Sequence, residues 1–385
     1  MQFRISSRQL SFLLVLAIST LVLRVPARML RADQLNKAPP VQDEPEQSAD
    51  ERERTVNAGT NPSAETDASQ SESADSELGL PKLPVLPLPN LQVPDINVPK
   101  LNIPLKTGGG TQLWTDHCFR DGFRIQQQAF TGHWRLLDAN DVRRGWGSRQ
   151  HCEELLDDLA PRPAATEQAP HYFVLLHGLM RTHHSMKALD DELRKRGHSH
   201  VIRFSYASTR RSISDHSAAL TEVLEDLPDN AKFTFVGHSM GNIVVRHAVG
   251  RLQREGDSKK LLPRCRSMVM LGPPNQGAAI ARRLAPTGLY GLVTGKGGLE
   301  LGPQWETFVN ELATPPFPFM IIAGDISDAP LQNPLTDGAG DFVVSLDEAK
   351  LKGAEAIETV PVLHSFIMSD PTAIEKTIEF VETHP

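Results

Sequence analysis

Five consecutive residues, Gly237-His238-Ser239-Met240-Gly241, offer the clearest chemistry in the chain. Ahead of them, apolar residues at 233–236 read as a strand, and helical spacing follows from 240 to 252. A serine between two glycines at a strand-to-helix junction is the pattern of a nucleophile elbow. Gly237 and Gly241 leave room for strand and helix to come close. The helix N-terminus then turns free N–H groups toward the serine.

A serine hydroxyl attacks poorly unless a base takes its proton. In this strand–turn–helix setting the acid and base follow the nucleophile in the order Ser, Asp, His. After Ser239 the histidines are His247, His364 and His384. His247 falls two turns along the elbow helix, out of reach of the hydroxyl. His384 is next to last in the chain. His364 lies between a short strand and the last helix and is the expected base. The acid has three candidates. Asp341, which leads an apolar pair and a small helix, is preferred over Asp337 and Asp325.

The negative oxygen formed by attack on a carbonyl needs two backbone N–H donors. Met240, directly after the serine, should supply one. The other should come from the loop His177-Gly178-Leu179-Met180, with Leu179 chosen and Met180 as the alternative. His177 is expected to brace that loop.

The elements that would hold these residues alternate. Residues 123–130 and 134–137 read as a hairpin and 150–159 as a helix. Apolar strands at 172–176, 201–206, 233–236, 267–271 and 319–323 then alternate with helical spacing at 214–227, 240–252 and 372–381. Such a rhythm predicts an α/β fold, a mostly parallel sheet flanked by helices. Ligands of such sheets sit beyond the carboxyl ends of the strands, where Ser239 would be. A Gly- and Leu-rich stretch at 277–308 interrupts the rhythm where a cap could cover the site. Leu284, Leu289, Tyr290, Leu292 and Val293 would then line an acyl pocket or simply pack as helix.

The constellation resembles the α/β-hydrolase superfamily, and within it the bacterial lipase and esterase branch. The segments that carry the resemblance are VLLHGLM at 174–180, GHSMG at 237–241, LGPPNQGA at 271–278, GDFVVSLDEAKL at 340–351 and LHSFIM at 363–368. The resemblance implies hydrolysis of acyl esters or lipid-like substrates through an acyl-enzyme on Ser239, with no cofactor. An acyltransferase on the same triad, or a catalytically silent binding module, are the alternatives.

Ahead of this domain the composition changes. No aromatic residue occurs between Phe12 and Trp114. Arg4 and Arg8 precede an uncharged run at 9–23, which reads as a signal peptide or membrane anchor over 1–27. Residues 28–80 read as a disordered acidic tail, with 12 acids against 4 bases from Arg31 to Leu80. Prolines at 89, 94, 99 and 104 mark a Pro-rich linker over 81–111, ending in the glycine hinge 108–110. The hydrolase domain is expected at 112–385. These features predict an exported or membrane-anchored protein that meets the membrane through its N-terminus.

The net charge of −7 lies almost wholly in the tail. The near-neutral remainder speaks against nucleic acid as a partner. Three cysteines rule out a disulfide scaffold. Cys118 and Cys152 could pair, leaving Cys265 free. His183-His184 and His198-x-His200 have no nearby cysteine or carboxylate at ligand spacing, so they are expected as solvated loop histidines and no metal is assigned.

Overall fold

The structure is a computed structural model in which residues 111–162, 168–287, 289–328, 335–336 and 338–385 are described. The expected signal or anchor at 1–27, the acidic tail, the Pro-rich strip with its hinge and Asp337 therefore lie outside the described residues, save for Thr111. Among the described residues no helix is long and apolar enough to cross a membrane.

Two sheets form. The first is an antiparallel meander of β1 (Trp114–Arg120), β2 (Phe123–Gln128), β3 (Trp134–Leu137) and β4 (Arg143–Gly147). The anticipated hairpin is its middle pair. The outer strands, WTDHCFR and RRGWG, carry too many charges and too little alternation to read as strands. Helix α1 (Arg149–Leu159) closes over this sheet, capped by the Ser148 hydroxyl, and buries Cys152 and Leu156 against Ile125 and Leu136.

The second sheet has six parallel strands in the order β10-β9-β8-β7-β5-β6. They are β5 (His171–Leu176), β6 (Val201–Phe204), β7 (Lys232–His238), β8 (Cys265–Leu271), β9 (Phe319–Gly324) and β10 (Ala356–Val360). Near-continuous apolar runs such as HYFVLL suit strands covered on both faces. Alternate side chains of β5 enter opposite cores. Val174 and Leu176 join one, and Phe173 and Leu175 the other.

Helices α3 (Ile213–Asp226) and α4 (Met240–Glu255) bury their apolar residues in the first of these cores. Helices α2 (Lys187–Lys195) and α9 (Pro371–Thr383) do so in the second. Local signals start them. Ser212 and Asp215 make a reciprocal capping box on α3, and Asp370 caps α9 with Pro371 in its first turn. Helix α2 was not anticipated, because KALDDELRK shows few apolar residues. Its Leu189 and Leu193 are nevertheless fully buried.

The chain runs from β5 outward to β6 and then returns to the other side of β5 to lay down β7. The order reverses there, and the crevice at such a switch point is where open α/β sheets bind ligands. The loop after β5 and the turn after β7 both open into it. The meander is tied to the parallel domain at β1. The Asp116 carboxylate accepts from the Ser205 amide at 2.7 Å, and the Asp116 amide donates to the Ser205 carbonyl at 2.9 Å.

The stretch at 277–308 folds as α5 (Ala279–Leu284), α6 (Leu289–Leu301) and the short α7 (Trp305–Phe308), with α6 kinked at Gly295. Leu284 and Tyr290 pack inward with Ala278 and Ala281, and the Tyr290 hydroxyl donates to the Gly298 carbonyl. For these two, helix packing describes the role better than an acyl lining does. Val293 is half-buried, and the side chains of Leu289 and Leu292 lie outside the described ones. A further short helix, α8 (Leu346–Ala349), follows the Asp341 loop and starts at a Ser345–Glu348 capping box.

All three cysteines are free and buried. Cys118 donates to the Asp226 carboxylate at 2.8 Å, and burial pushes its thiol well up. Cys152 is pushed to about 12 by burial. The pairing of Cys118 with Cys152 does not form.

Candidate active site

Ser239 sits between β7 and α4 with φ 53° and ψ −122°, a strained backbone for a residue with a side chain. Neighbours over-determine that strain. The Ser239 amide donates to the Leu271 carbonyl at 2.9 Å, and the Ser239 carbonyl accepts from the Asn242 amide and side chain, both at 3.1 Å. A Cβ at Gly241 would lie 2.6 Å from the Leu176 carbonyl oxygen, and one at Gly237 would lie 2.3 Å from Asn242 Oδ1. Neither position has space for a larger residue while strand and helix meet this closely.

His364 lies at the start of a 3-10 turn, His364–Ser369, after β10. Its Nε2 is 2.9 Å from Ser239 Oγ, and its Nδ1 is 2.6 Å from Asp341 Oδ2. An ionised carboxylate only accepts, so Nδ1 carries the proton and Nε2 presents its lone pair to the serine hydroxyl. The His364 amide also donates to the Asp341 carbonyl at 2.9 Å. Asp341 is 1% exposed, and its Oδ1 accepts from the amides of Val343 and Val344 at 3.0 and 2.8 Å. The carboxylate is thus held on both oxygens.

The other acid candidates stand elsewhere. Asp325 is half-buried in a turn and accepts from the Ser327 amide at 2.9 Å. Asp337 lies outside the described residues. His247 hydrogen-bonds Ser217 and Glu311, away from Ser239. His384 caps the last helix and faces Glu355 at 3.1 Å.

The loop after β5 lies against the serine. A Cβ at Gly178 would lie 3.0 Å from Ser239 Cβ. Met180 has φ 59°, and its amide donates to Ser208 Oγ at 3.1 Å. That commitment leaves Leu179 as the better second donor beside Met240, the first residue of α4. His177 is fully buried. Its ring stacks on Tyr206 with centroids 4.0 Å apart, and Nδ1 meets the Gly178 carbonyl at 2.9 Å. Burial lowers its pKa to about 4, so it is neutral and braces the loop.

Three contributors were not foreseen. His238 Nε2 lies 3.0 Å from the His364 carbonyl, which can only accept, so this nitrogen carries the proton. Burial, and then the nearby His364, hold the His238 pKa well below the ordinary value. The residue was readable as the variable position of the elbow, but its partner was not. Ser208 and Asn242 leave no such signal, since each acts through a contact that the fold creates. Leu363 and Phe366, on either side of His364, are exposed apolar residues at the site.

One expectation about histidines is overturned. His183 is not a solvated loop residue but is 2% exposed, and the fold brings Asp141 to the His183–His184 pair.

Comparison with known proteins came to the same region. The family described as "Putative serine esterase (DUF676)" matches residues 166–272. The Bacillus licheniformis lipase BlEst2 in its mature form is similar over 57% of this chain and 96% of its own, at 16% identity and a TM-score of 0.45. The product of gene lin2722 from Listeria innocua is similar over 57% and 96%, at 21% identity and a TM-score of 0.40. The metagenomic carboxyl esterase MGS0156 is similar over 58% and 79%, at 16% identity and a TM-score of 0.41. No curated protein matches the chain.

Proposed function

We propose that the chain is a serine ester hydrolase of the α/β-hydrolase type, working through an acyl-enzyme on Ser239. The observation that carries the reading is the relay itself, with Ser239 Oγ 2.9 Å from His364 Nε2 and His364 Nδ1 2.6 Å from Asp341. Ser239 Oγ attacks the ester carbonyl and its proton passes to His364 Nε2. The amides of Leu179 and Met240 stabilise the oxyanion. When the tetrahedral intermediate collapses, the C–O bond to the leaving alcohol breaks and the alcohol takes the proton from His364. Water, deprotonated by the same imidazole, then frees the acid and restores Ser239. Asp341 holds the productive tautomer throughout and stabilises the imidazolium.

Lipid-like or acyl esters are the proposed substrates, in keeping with the exposed Leu363 and Phe366 beside His364. An intact relay speaks against a silent binding module. The N-terminal basic and apolar run supports export or membrane tethering, which cell fractionation of the full chain checks. The test of the chemistry is labelling with a fluorophosphonate, followed by mapping of the adduct and assay of p-nitrophenyl esters of graded chain length. An adduct on Ser239 with ester turnover is expected. A labelled residue other than Ser239, or no label and no turnover, would overturn the proposal.

A further inference from the structure

The turn after β3 and the start of the segment after the β5 loop meet at three potential metal ligands. Asp141 comes from the turn between β3 and β4, and His183 and His184 open the 3-10 turn His183–Met186. One ligand atom from each of the three lies within 4.8 Å of the other two. Nothing in the sequence announces the set, because the carboxylate arrives from the other sheet.

The independent observation is His183. It is buried, and neither ring nitrogen has a hydrogen-bond partner. A buried imidazole with both nitrogens unsatisfied is costly and rare in a folded protein. This ring is aimed into the cluster, beside His184, with centroids 4.0 Å apart. Two arginines stand close, and each has a carboxylate. Arg124 pairs with Asp141, and Arg203 pairs with Asp190 at 2.9 Å.

We propose that Asp141, His183 and His184 form a binding site for a single zinc-class divalent cation, completed by water. Two imidazoles and one carboxylate with a fourth open position suit tetrahedral zinc. Tetrahedral bonds of about 2.0–2.1 Å place ligand atoms roughly 3.3 Å apart, and the three candidate atoms lie within 4.8 Å of one another. The ion would satisfy one nitrogen of His183. It would also staple the antiparallel meander to the segment that follows the Leu179 loop. The site does not depend on the ester-hydrolase reading, and its test does not use activity.

The test is equilibrium dialysis of the EDTA-treated full chain against Zn²⁺, with metal analysis and thermal melts. His183→Ala would empty a buried position, so the decisive variants are His184→Gln, at an exposed residue, and Asp141→Asn. Asp141 has φ 61°, a conformation asparagine tolerates well. The tail cannot compete through histidine or cysteine, since the first of each is His117 and Cys118. About one Zn²⁺ per chain with a raised melting temperature is expected. Each variant, folded by circular dichroism, should lose roughly 10–100-fold or more in affinity. The control His151→Gln, at a half-buried position outside the cluster, should bind normally. Failure of the unaltered chain to bind stoichiometrically, or retention of full affinity by either variant, overturns the site.

Discussion

At the scale of single residues, the site is a chain of donors and acceptors with no slack. Ser239→Ala removes the proposed nucleophile and should leave the elbow backbone intact. Turnover of p-nitrophenyl esters should fall by about 10⁴- to 10⁶-fold, with the melting temperature little changed. His364→Ala should cost a similar factor, and the double variant little more, because the two act as one unit. Near-normal turnover by either single variant would remove the assignment. Asp341→Asn tests the acid. Both Asp341 oxygens are engaged, one by His364 and one by the Val343 and Val344 amides. Both partners donate and asparagine has a single acceptor oxygen, so it can satisfy only one of them, and kcat should drop by roughly 10⁴-fold. Asp325→Asn, which alters only a turn contact to Ser327, should leave kcat within about twofold of the unaltered chain, an order of magnitude of change being the level at which a transition-state contact of 1.4 kcal/mol is lost.

At the scale of elements, the strand β7, the elbow and helix α4 act as one rigid piece. Gly241 is where the helix meets the end of β5, with space for no Cβ beside the Leu176 carbonyl. Gly241→Ala should therefore force α4 away from the sheet. Overpacking of this kind costs about 1–3 kcal/mol, and here it also moves Ser239 relative to His364. Chemical denaturation and ester assay should show both losses together. A variant with lower stability but unchanged kcat would mean that the elbow tolerates displacement.

At the scale of the whole molecule, buried neutral histidines make stability depend on pH. Burial lowers the pKa of His177 to about 4 and that of His216 to about 3. In the unfolded chain both should titrate near ~6.5. Above that value the two states bind the same protons and the contribution is full. As pH falls below it, the unfolded chain takes up protons that the folded chain refuses, and stability is lost toward pH 4 and, for His216, pH 3. Each group contributes a slope of up to roughly 1.4 kcal/mol per pH unit in that window. Urea midpoints measured at pH 7.5, 6 and 5 should fall progressively. A flat profile over that range would mean that these rings are hydrated and titrate normally. A second whole-chain prediction concerns residues 1–105. They contain one tryptophan-free, tyrosine-free stretch whose last aromatic residue is Phe12, too little apolar surface to add to a core. Removing them should leave a soluble, active domain whose melting temperature agrees with that of the full chain within a few degrees. Loss of folding on truncation, restored by residues 81–105, would place the proline strip against the domain.

The sequence by itself determined the parallel sheet and the glycine-flanked turn at Ser239, and it pointed to His364 and Asp341 as the proposed base and acid. Each rests on local order, such as an apolar run ended by glycine or a strict chain order of Ser, Asp and His. Tertiary structure decided whatever depends on contact between segments distant in the chain. Strands β1 and β4 are held by pairing and by docking of Asp116 on Ser205 rather than by their own pattern. Helix α2 buries two leucines because the sheet offers a surface, not because its composition is apolar. Ser208 takes the Met180 amide, and His238 holds the His364 carbonyl, only once β5, β6 and β7 lie side by side. Asp141 reaches His183 and His184 across two sheets. Periodicity and turn chemistry act over a few residues and can be read from them, whereas hydrogen bonds across elements exist only after the elements have packed.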